Sequence, residues 1–185
     1  MSDAHQDTNT SKHIVFLDQA TFPDAVTVRP PAFPHSLETF ARTTADQAVE
    51  RAKDADIIIL NKVPMRAETL AQLPKLKMIA VAATGTDNID LNVCKERGII
   101  VSNIRGYAIA TEPEHTMGLM LSLSRSIRPY HDSVAKGRWG EAAQFCYFDY
   151  PIFDLKGKVL GIIGDGVLGK SVAKLGEAFG MEVRF

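Results

Sequence analysis

The chain has 185 residues, of which 45% are hydrophobic and 23% charged, and its formal net charge is −1. That length holds one domain, or one domain and part of a second, and the composition is that of an ordinary globular protein. Near-neutral charge gives no electrostatic basis for binding nucleic acid or an anionic membrane, and no apolar run approaches the roughly 18–20 residues that cross a bilayer.

The polar stretch from Met1 to Lys12 lacks the apolar segment of a secretory signal and reads as a disordered tail. Apolar, β-branched runs then alternate with helical patterns, the signature of a parallel sheet covered by helices. The strands are expected at His13–Leu17, weakly near Leu37–Arg42, and at Ile57–Leu60, Met78–Ala82 and Ile99–Ser102. Thr44 and Gln47 stand at capping-box spacing ahead of a narrow apolar face of Ala48, Val49 and Ala52. Arg66–Leu73 and Leu91–Arg97 read as the next helices, with Gly98 as a left-handed stop. This order predicts an α/β fold whose first lobe, residues 13–106, is flavodoxin-like.

Beyond Gly106 the pattern changes. Glu112–Ile127 carries Met117, Leu119, Met120, Leu121, Leu123 and Ile127 on too many faces for a surface helix, so a helix buried on most sides, as between two lobes, is expected. Arg128–Tyr150 mixes aromatics, glycines and charges without a period and reads as a short helix plus loop. Lys158–Ile163 is a short apolar strand. A glycine-rich turn follows, then a helix with an apolar stripe of Leu168, Val172, Leu175 and Phe179 that stops at Gly180, then a further strand opening at Glu182–Phe185. Cys94 and Cys146 have neither metal-ligand spacing nor the density of a disulfide scaffold, so no metal site and a reducing cytoplasm are expected.

The turn Gly164-Asp165-Gly166-Val167-Leu168-Gly169 is a G-x-G-x-x-G between a strand and a helix, the context in which such a pattern binds a dinucleotide. Gly164 permits the tight turn, Gly166 lets backbone approach a pyrophosphate, and Gly169 lets the helix pack close to the strand. Val167 and Leu168 would offer N–H groups at the helix N-terminus, where the dipole favours anionic phosphates. A bare strand–helix corner is the alternative. The acidic residue that would hold the adenosine ribose is expected about 20 residues further on, at or beyond Phe185, so NAD and NADP both stay open. Arg184 is the nearest side chain that could meet a 2′-phosphate.

Three stretches together resemble the D-2-hydroxyacid dehydrogenase family. They are Leu76–Asp90, then Gly98–Asn103 leading to Pro113-Glu114-His115, then the glycine turn, and their order and spacing look like the family from Ile57 to Phe185. Asn61-Lys62-Val63-Pro64 and Gly106-Tyr107 look most similar to the glycerate dehydrogenases, or hydroxypyruvate reductases. The resemblance implies a substrate lobe facing a Rossmann nucleotide lobe, the latter represented by residues 107–185 as an interlobe helix and a first β-α-β unit. It implies reversible hydride transfer between NAD or NADP and a small 2-hydroxy or 2-oxo acid, in a parent enzyme that is a homodimer.

On the same resemblance, Thr84, Gly85 and Thr86 offer N–H groups to the substrate carboxylate, Lys62 approaches the substrate, and Thr111 lies near the nicotinamide. The alternatives are a strand-end turn with Gly85 at positive φ, a solvated lysine and a plain helix N-cap. Glu112 and Asp165 depart from the family pattern, and Asp165 puts a carboxylate inside the phosphate turn. The family's arginine, glutamate and histidine have no matching positions, so no catalytic residue is expected in the chain, which would be a truncated and inactive portion. A non-catalytic module binding a dinucleotide or 2-oxo acid is the other reading. Of the histidines, His5 is in the tail, His13 opens a strand, His35 sits in a proline-rich loop, His115 is expected at a buried interface, and His131 does not face its neighbour Asp132. None is expected to act as a catalyst.

Overall fold

The structure, a computed structural model, describes residues 11–185, so the expected tail lies outside the described residues as far as position 10. The chain divides into two compact units, one ending at Arg105 and the other running from Gly106 to Phe185.

The first unit is built on five parallel strands, β1 (Lys12–Phe16), β2 (His35–Thr39), β3 (Ile57–Leu60), β4 (Met78–Val81) and β5 (Ile100–Asn103), in the order β2-β1-β3-β4-β5. This is the flavodoxin-like order. Successive strand residues point to opposite faces, so Val15, Ile58, Leu60, Ile79 and Val81 line one face together. That face is fully buried with Ala48 and Ala52 of α1 (Ala48–Ala52), Leu70 of α2 (Ala67–Ala71) and Cys94 of α3 (Leu91–Glu96). The opposite face is more open. Ile57, Ile59, Met78 and Ala80 are half-buried, and Ile100 is 65% exposed.

Local differences from the expected elements have physical reasons. β1 starts at Lys12, because its N–H donates to Pro34 O and Lys12 pairs with His35. β2 therefore begins at His35 and ends at Thr39, where Leu37–Arg42 was expected; past Thr39, the carbonyls of Phe40 and Ala41 turn to accept from Gln19 and Ala20. As an edge strand with four of its five residues exposed, it has little apolar pattern to reveal it. Only half of the capping box forms: Thr44 N–H donates to Gln47 Oε1 at 3.1 Å, and helix α1 starts after Gln47. Helix α3 is capped by Asp90, which accepts from Val93 N at 3.1 Å, and Gly98 ends it at φ 68° as expected.

The second unit contains α4 (Thr111–Ser124), α5 (Ile127–Ala135), β6 (Val159–Gly161), α6 (Val167–Ala178) and β7 (Glu182–Arg184), with β6 and β7 paired in parallel. The helix expected to be buried on most sides is not. In α4 only Pro113, Met117 and Ser124 are buried, and Leu123 is 77% exposed. It also stops at Ser124 instead of reaching Ile127. Ser126 adopts φ 49°, its hydroxyl donates to Pro151 O at 2.6 Å, and Ser124 O accepts from Phe153 N. The returning segment takes the Ser124 carbonyl, which would have carried the next helical bond, and holds Ser126 by its side chain. The stripe of α6 shifts as well. Leu168 and Phe179 are exposed, and the buried positions are Ala173 and Gly176. A Cβ on Gly176 would lie 2.7 Å from Leu160 Cδ2, so small residues set this helix–strand approach. Gly180 ends α6 at φ 75°.

Candidate functional site

In a parallel sheet, the loops leaving the carboxyl ends of the strands share one edge, which is where open α/β folds bind ligands. In the first unit, Asp18 follows β1, Asn61 and Lys62 follow β3, Thr84–Asn88 follow β4, and Asn103 ends β5. The loops are tied to one another. Thr84 Oγ1 donates to Ile104 O at 2.8 Å, Asn103 Nδ2 donates to Thr84 O at 2.7 Å, and Ile104 N–H donates to Ala83 O. Asn88 Nδ2 donates to Val63 O at 3.0 Å, and Met65 and Ile89 form a short parallel bridge.

Within this frame Thr84 and Gly85 are exposed and Thr86 is half-buried. Among the described residues, none of their three N–H groups donates to another protein atom. Backbone donors without partners need water or a ligand acceptor, and successive ones suit an anion. Gly85 does not adopt the positive φ of the strand-end alternative; a Cβ there would meet Asp87 Oδ1 at 3.1 Å. The Lys62 side chain is exposed and makes no ion pair among the described residues, while its N–H is bound by the buried carboxylate of Asp18 at 2.6 Å. Asp18 gave no signal in the sequence, because its partners lie 43 and 44 positions away. Among the described residues Asn61 Oδ1 is buried without a hydrogen-bond partner, a second feature the sequence did not disclose.

The glycine turn of the second unit is a strand-to-helix corner. Gly164 takes φ 105°, which side-chain-bearing residues rarely adopt, and Gly166 is the N-cap of α6. A Cβ on Gly169 would fall onto the Gly164 carbonyl oxygen, so only glycine lets the first helical turn close over the strand end. Around Gly166 there is open space. Among the described residues, the N–H groups of Gly164 through Gly169 make no protein hydrogen bond, and the turn is exposed apart from half-buried Gly169. The donors and the N-terminal end of the helix dipole fit a diphosphate. Asp165 is exposed in the same turn. Arg184 is engaged by Glu182, with Nη2 2.7 Å from Oε1.

The remaining candidates behave differently. Thr111 is the first residue of α4, after Ala110 at the N-cap, and its side chain makes no capping bond, which removes the plain N-cap alternative. Glu112 and Glu114 lie in that first turn, where the helix dipole favours acidic side chains. His115 is exposed, contrary to the buried interface expected for it. Asp132 is held by Arg128 at 2.8 Å instead of facing His131; that contact, by hydrogen bond and then by charge, keeps its carboxyl below the ordinary range. His13 Nδ1 meets Ser36 Oγ and His35 Nδ1 meets Phe33 O, whereas His5 lies outside the described residues. Among the described residues no His, Cys, Asp and Glu cluster is placed to hold a metal ion, and no helix is long and apolar enough to cross a membrane.

A sequence model of the catalytic domain of D-isomer specific 2-hydroxyacid dehydrogenases matches residues 19–179, which include both unpaired N–H loops. The chain belongs to that family. Glycerate dehydrogenase of Methylorubrum extorquens is 56% identical over 94% of this chain and 55% of its own length. Hydroxypyruvate reductase of Blautia hydrogenotrophica is 36% identical over 76% of the chain and 44% of its own. Among solved structures, D-lactate dehydrogenase of Aquifex aeolicus complexed with NAD and lactic acid superposes with a TM-score of 0.70 at 27% identity, covering 92% of this chain and 50% of that one. This family member thus spans about half the length of the relatives it matches, and its fold is the family's α/β fold with a parallel sheet.

Proposed function

We propose that this chain supplies the substrate lobe, residues 13–106, and the opening of the nucleotide lobe, residues 107–185, of an NAD(P)-dependent oxidoreductase acting on small 2-hydroxy and 2-oxo acids. The glycerate/hydroxypyruvate or glyoxylate type is the reading favoured by the named relatives. The observation that carries the proposal is the pair of backbone loops whose N–H groups have no protein acceptor among the described residues, Thr84–Thr86 and Gly164–Gly169.

The residues have distinct roles. Thr84, Gly85 and Thr86 bind the substrate carboxylate through successive N–H donors held by the Thr84 and Asn103 hydrogen bonds. Lys62, on the adjacent strand end, adds a positive charge toward the substrate. Gly164, Gly166, Val167, Leu168 and Gly169 cradle the diphosphate of NAD or NADP, and Thr111 lies toward the nicotinamide. When bound, the dinucleotide supplies or accepts the hydride.

Proton transfer is assigned to none of the described residues. Of the described histidines, His13 contacts Ser36 and, at 3.8 Å, Glu38 on the edge strand, His35 contacts Phe33 O, and the others are exposed. This favours, as a second reading, a chain that binds without turnover of its own. The whole enzyme is proposed to be a cytoplasmic homodimer, supported by two free thiols and by exposed Trp139, Phe145, Phe148, Ile152 and Phe153 in the second unit.

Amide spectra of the chain titrated with NADH and, separately, with oxalate as a 2-oxo acid mimic test this reading. Shifts at Gly164–Gly169 with the first and at Thr84–Thr86 with the second are expected. Shifts scattered over other surfaces would refute it.

A further inference from the structure

Asp18 is 5% exposed, yet among the described residues no lysine or arginine pairs with it. Its carboxylate is bound instead by backbone. Oδ1 accepts from Asn61 N at 2.8 Å, and Oδ2 accepts from Asn61 N at 3.1 Å and from Lys62 N at 2.6 Å. Burying a charge without a counter-ion is costly, and only good hydrogen bonds offset it. On the far side of the same loop, Asn88 Nδ2 donates to Asn61 O at 3.4 Å and to Val63 O at 3.0 Å, and Asn88 O accepts from Met65 N. The four residues Asn61–Pro64 are therefore gripped at both ends, and Asn88 stands two positions after Thr86.

We infer that Asp18 and Asn88 are positioning residues that fix the Lys62 loop against the Thr84–Thr86 loop, so that the ammonium group and the backbone donors address the same carboxylate. This rests on the substrate reading of those two loops. Asp18 touches Lys62 only at its backbone, beside the Asn61 N–H, and acts through that backbone. A carboxylate suits the task because it accepts from every donor aimed at it. An asparagine would turn an NH2 group toward one of the same N–H groups. The exposed lysine stem has many rotamers, and fixing its backbone anchor removes the motion that would otherwise separate the charge from the loop across the sheet edge.

A double-mutant cycle in the 185-residue chain tests this, with oxalate affinity read from the Thr84–Thr86 amide shifts and thermal midpoints measured alongside. Asp18→Asn is expected to weaken oxalate about fivefold when Lys62 is present, and to change little further once Lys62→Met has been made. A cap that merely stabilises the fold lowers the midpoint but leaves the two losses independent. An unchanged affinity in Asp18→Asn, or the same loss with and without Lys62, overturns the inference. Should Asp18→Asn fail to fold, Asn88→Ala releases the other end of the loop and must show the same dependence on Lys62. If oxalate leaves the Thr84–Thr86 amides of the unaltered chain unmoved, the substrate reading itself falls. If it moves them and the cycle is additive, only the positioning role is lost.

Discussion

The first unit closes a five-stranded sheet over a continuous core in which Val15, Ile58, Leu60, Leu70 and Ile79 have no exposed surface. The second pairs only two three-residue strands and leaves Phe145, Phe148 and Ile163 almost entirely exposed. Each nevertheless presents a loop of backbone N–H groups without acceptors among the described residues. In the first, the loop geometry depends on long-range hydrogen bonds between four strand ends. In the second it is encoded locally, by glycines at fixed offsets and by the first turn of a helix. Binding geometry of the first kind should therefore fail with the core, and that of the second kind only with the turn.

The largest expected contrast is in thiol reactivity. Cys94, in the first unit, is 1% exposed, whereas Cys146 in the second is half-buried. Burial, and then the nearby Asp90 charge, push the Cys94 thiol up, with Arg97 opposing them. The thiolate is the reactive form, so Cys94 must wait for opening of the unit. Iodoacetamide labelling followed by peptide mass spectrometry should find Cys146 modified about a thousandfold faster or more. Equal rates would mean that the core is not closed. The raised value also fixes a sign. Folding favours the protonated thiol, so this stabilisation is fully present below the ordinary thiol range and is lost as pH rises through the folded value.

Next come cavities. Leu70→Ala should cost about 2–5 kcal/mol in urea unfolding, because a fully buried leucine leaves a void that the sheet and helices cannot fill. Leu160→Ala, at a half-buried position of β6, should cost about 1 kcal/mol or less. Similar losses at both positions would erase the distinction between the units.

A pair of glycine substitutions sharpens the local half of the comparison. Gly169→Ala puts a methyl group where the Gly164 carbonyl already lies, so it should disorder the turn and lower NADH affinity more than about tenfold. Gly166→Ala meets nothing within 4 Å and has φ −69°, so the free turn should be unchanged in its amide spectrum. Its loss of NADH binding would then reflect the methyl group facing the pyrophosphate. If both variants perturb the free chain alike, the division of labour among these glycines is wrong.

How much was legible in the sequence follows the same division. The turn could be read because glycine identity at Gly164 and Gly169 records a backbone requirement within six residues. Strands β1, β3 and β4 could be read because each is a short apolar run rich in β-branched residues, the pattern of a sheet strand with little solvent contact. The edge strand β2 could not be placed as well, since its exposed residues have no apolar alternation, and its start is dictated by Lys12 across the sheet. Nor could the end of α4, which depends on Pro151 and Phe153 returning to Ser126 and Ser124. The grip of Asp18 on Lys62 is the clearest case: a lone aspartate after a strand looks like any turn residue until the fold brings β3 beside β1.

The smallest expected effect concerns Asp165, the residue in the glycine turn that would oppose the proposed diphosphate. Its carboxylate is exposed and within the loop whose N–H groups would receive two phosphates. In water, unit charges about 6 Å apart repel by roughly 0.7 kcal/mol, and at physiological salt the screening length of about 8 Å reduces this further. Asp165→Asn keeps the shape and removes the charge, so NADH should bind about two- to threefold more tightly at low salt, with the gain shrinking as salt is added. Titrations at several ionic strengths measure both. A gain that ignores salt would point to a change in loop conformation. A loss would mean that Asp165 serves the cofactor, for instance by accepting a bond from its ribose, and the turn would then have adapted its chemistry beyond the three glycines.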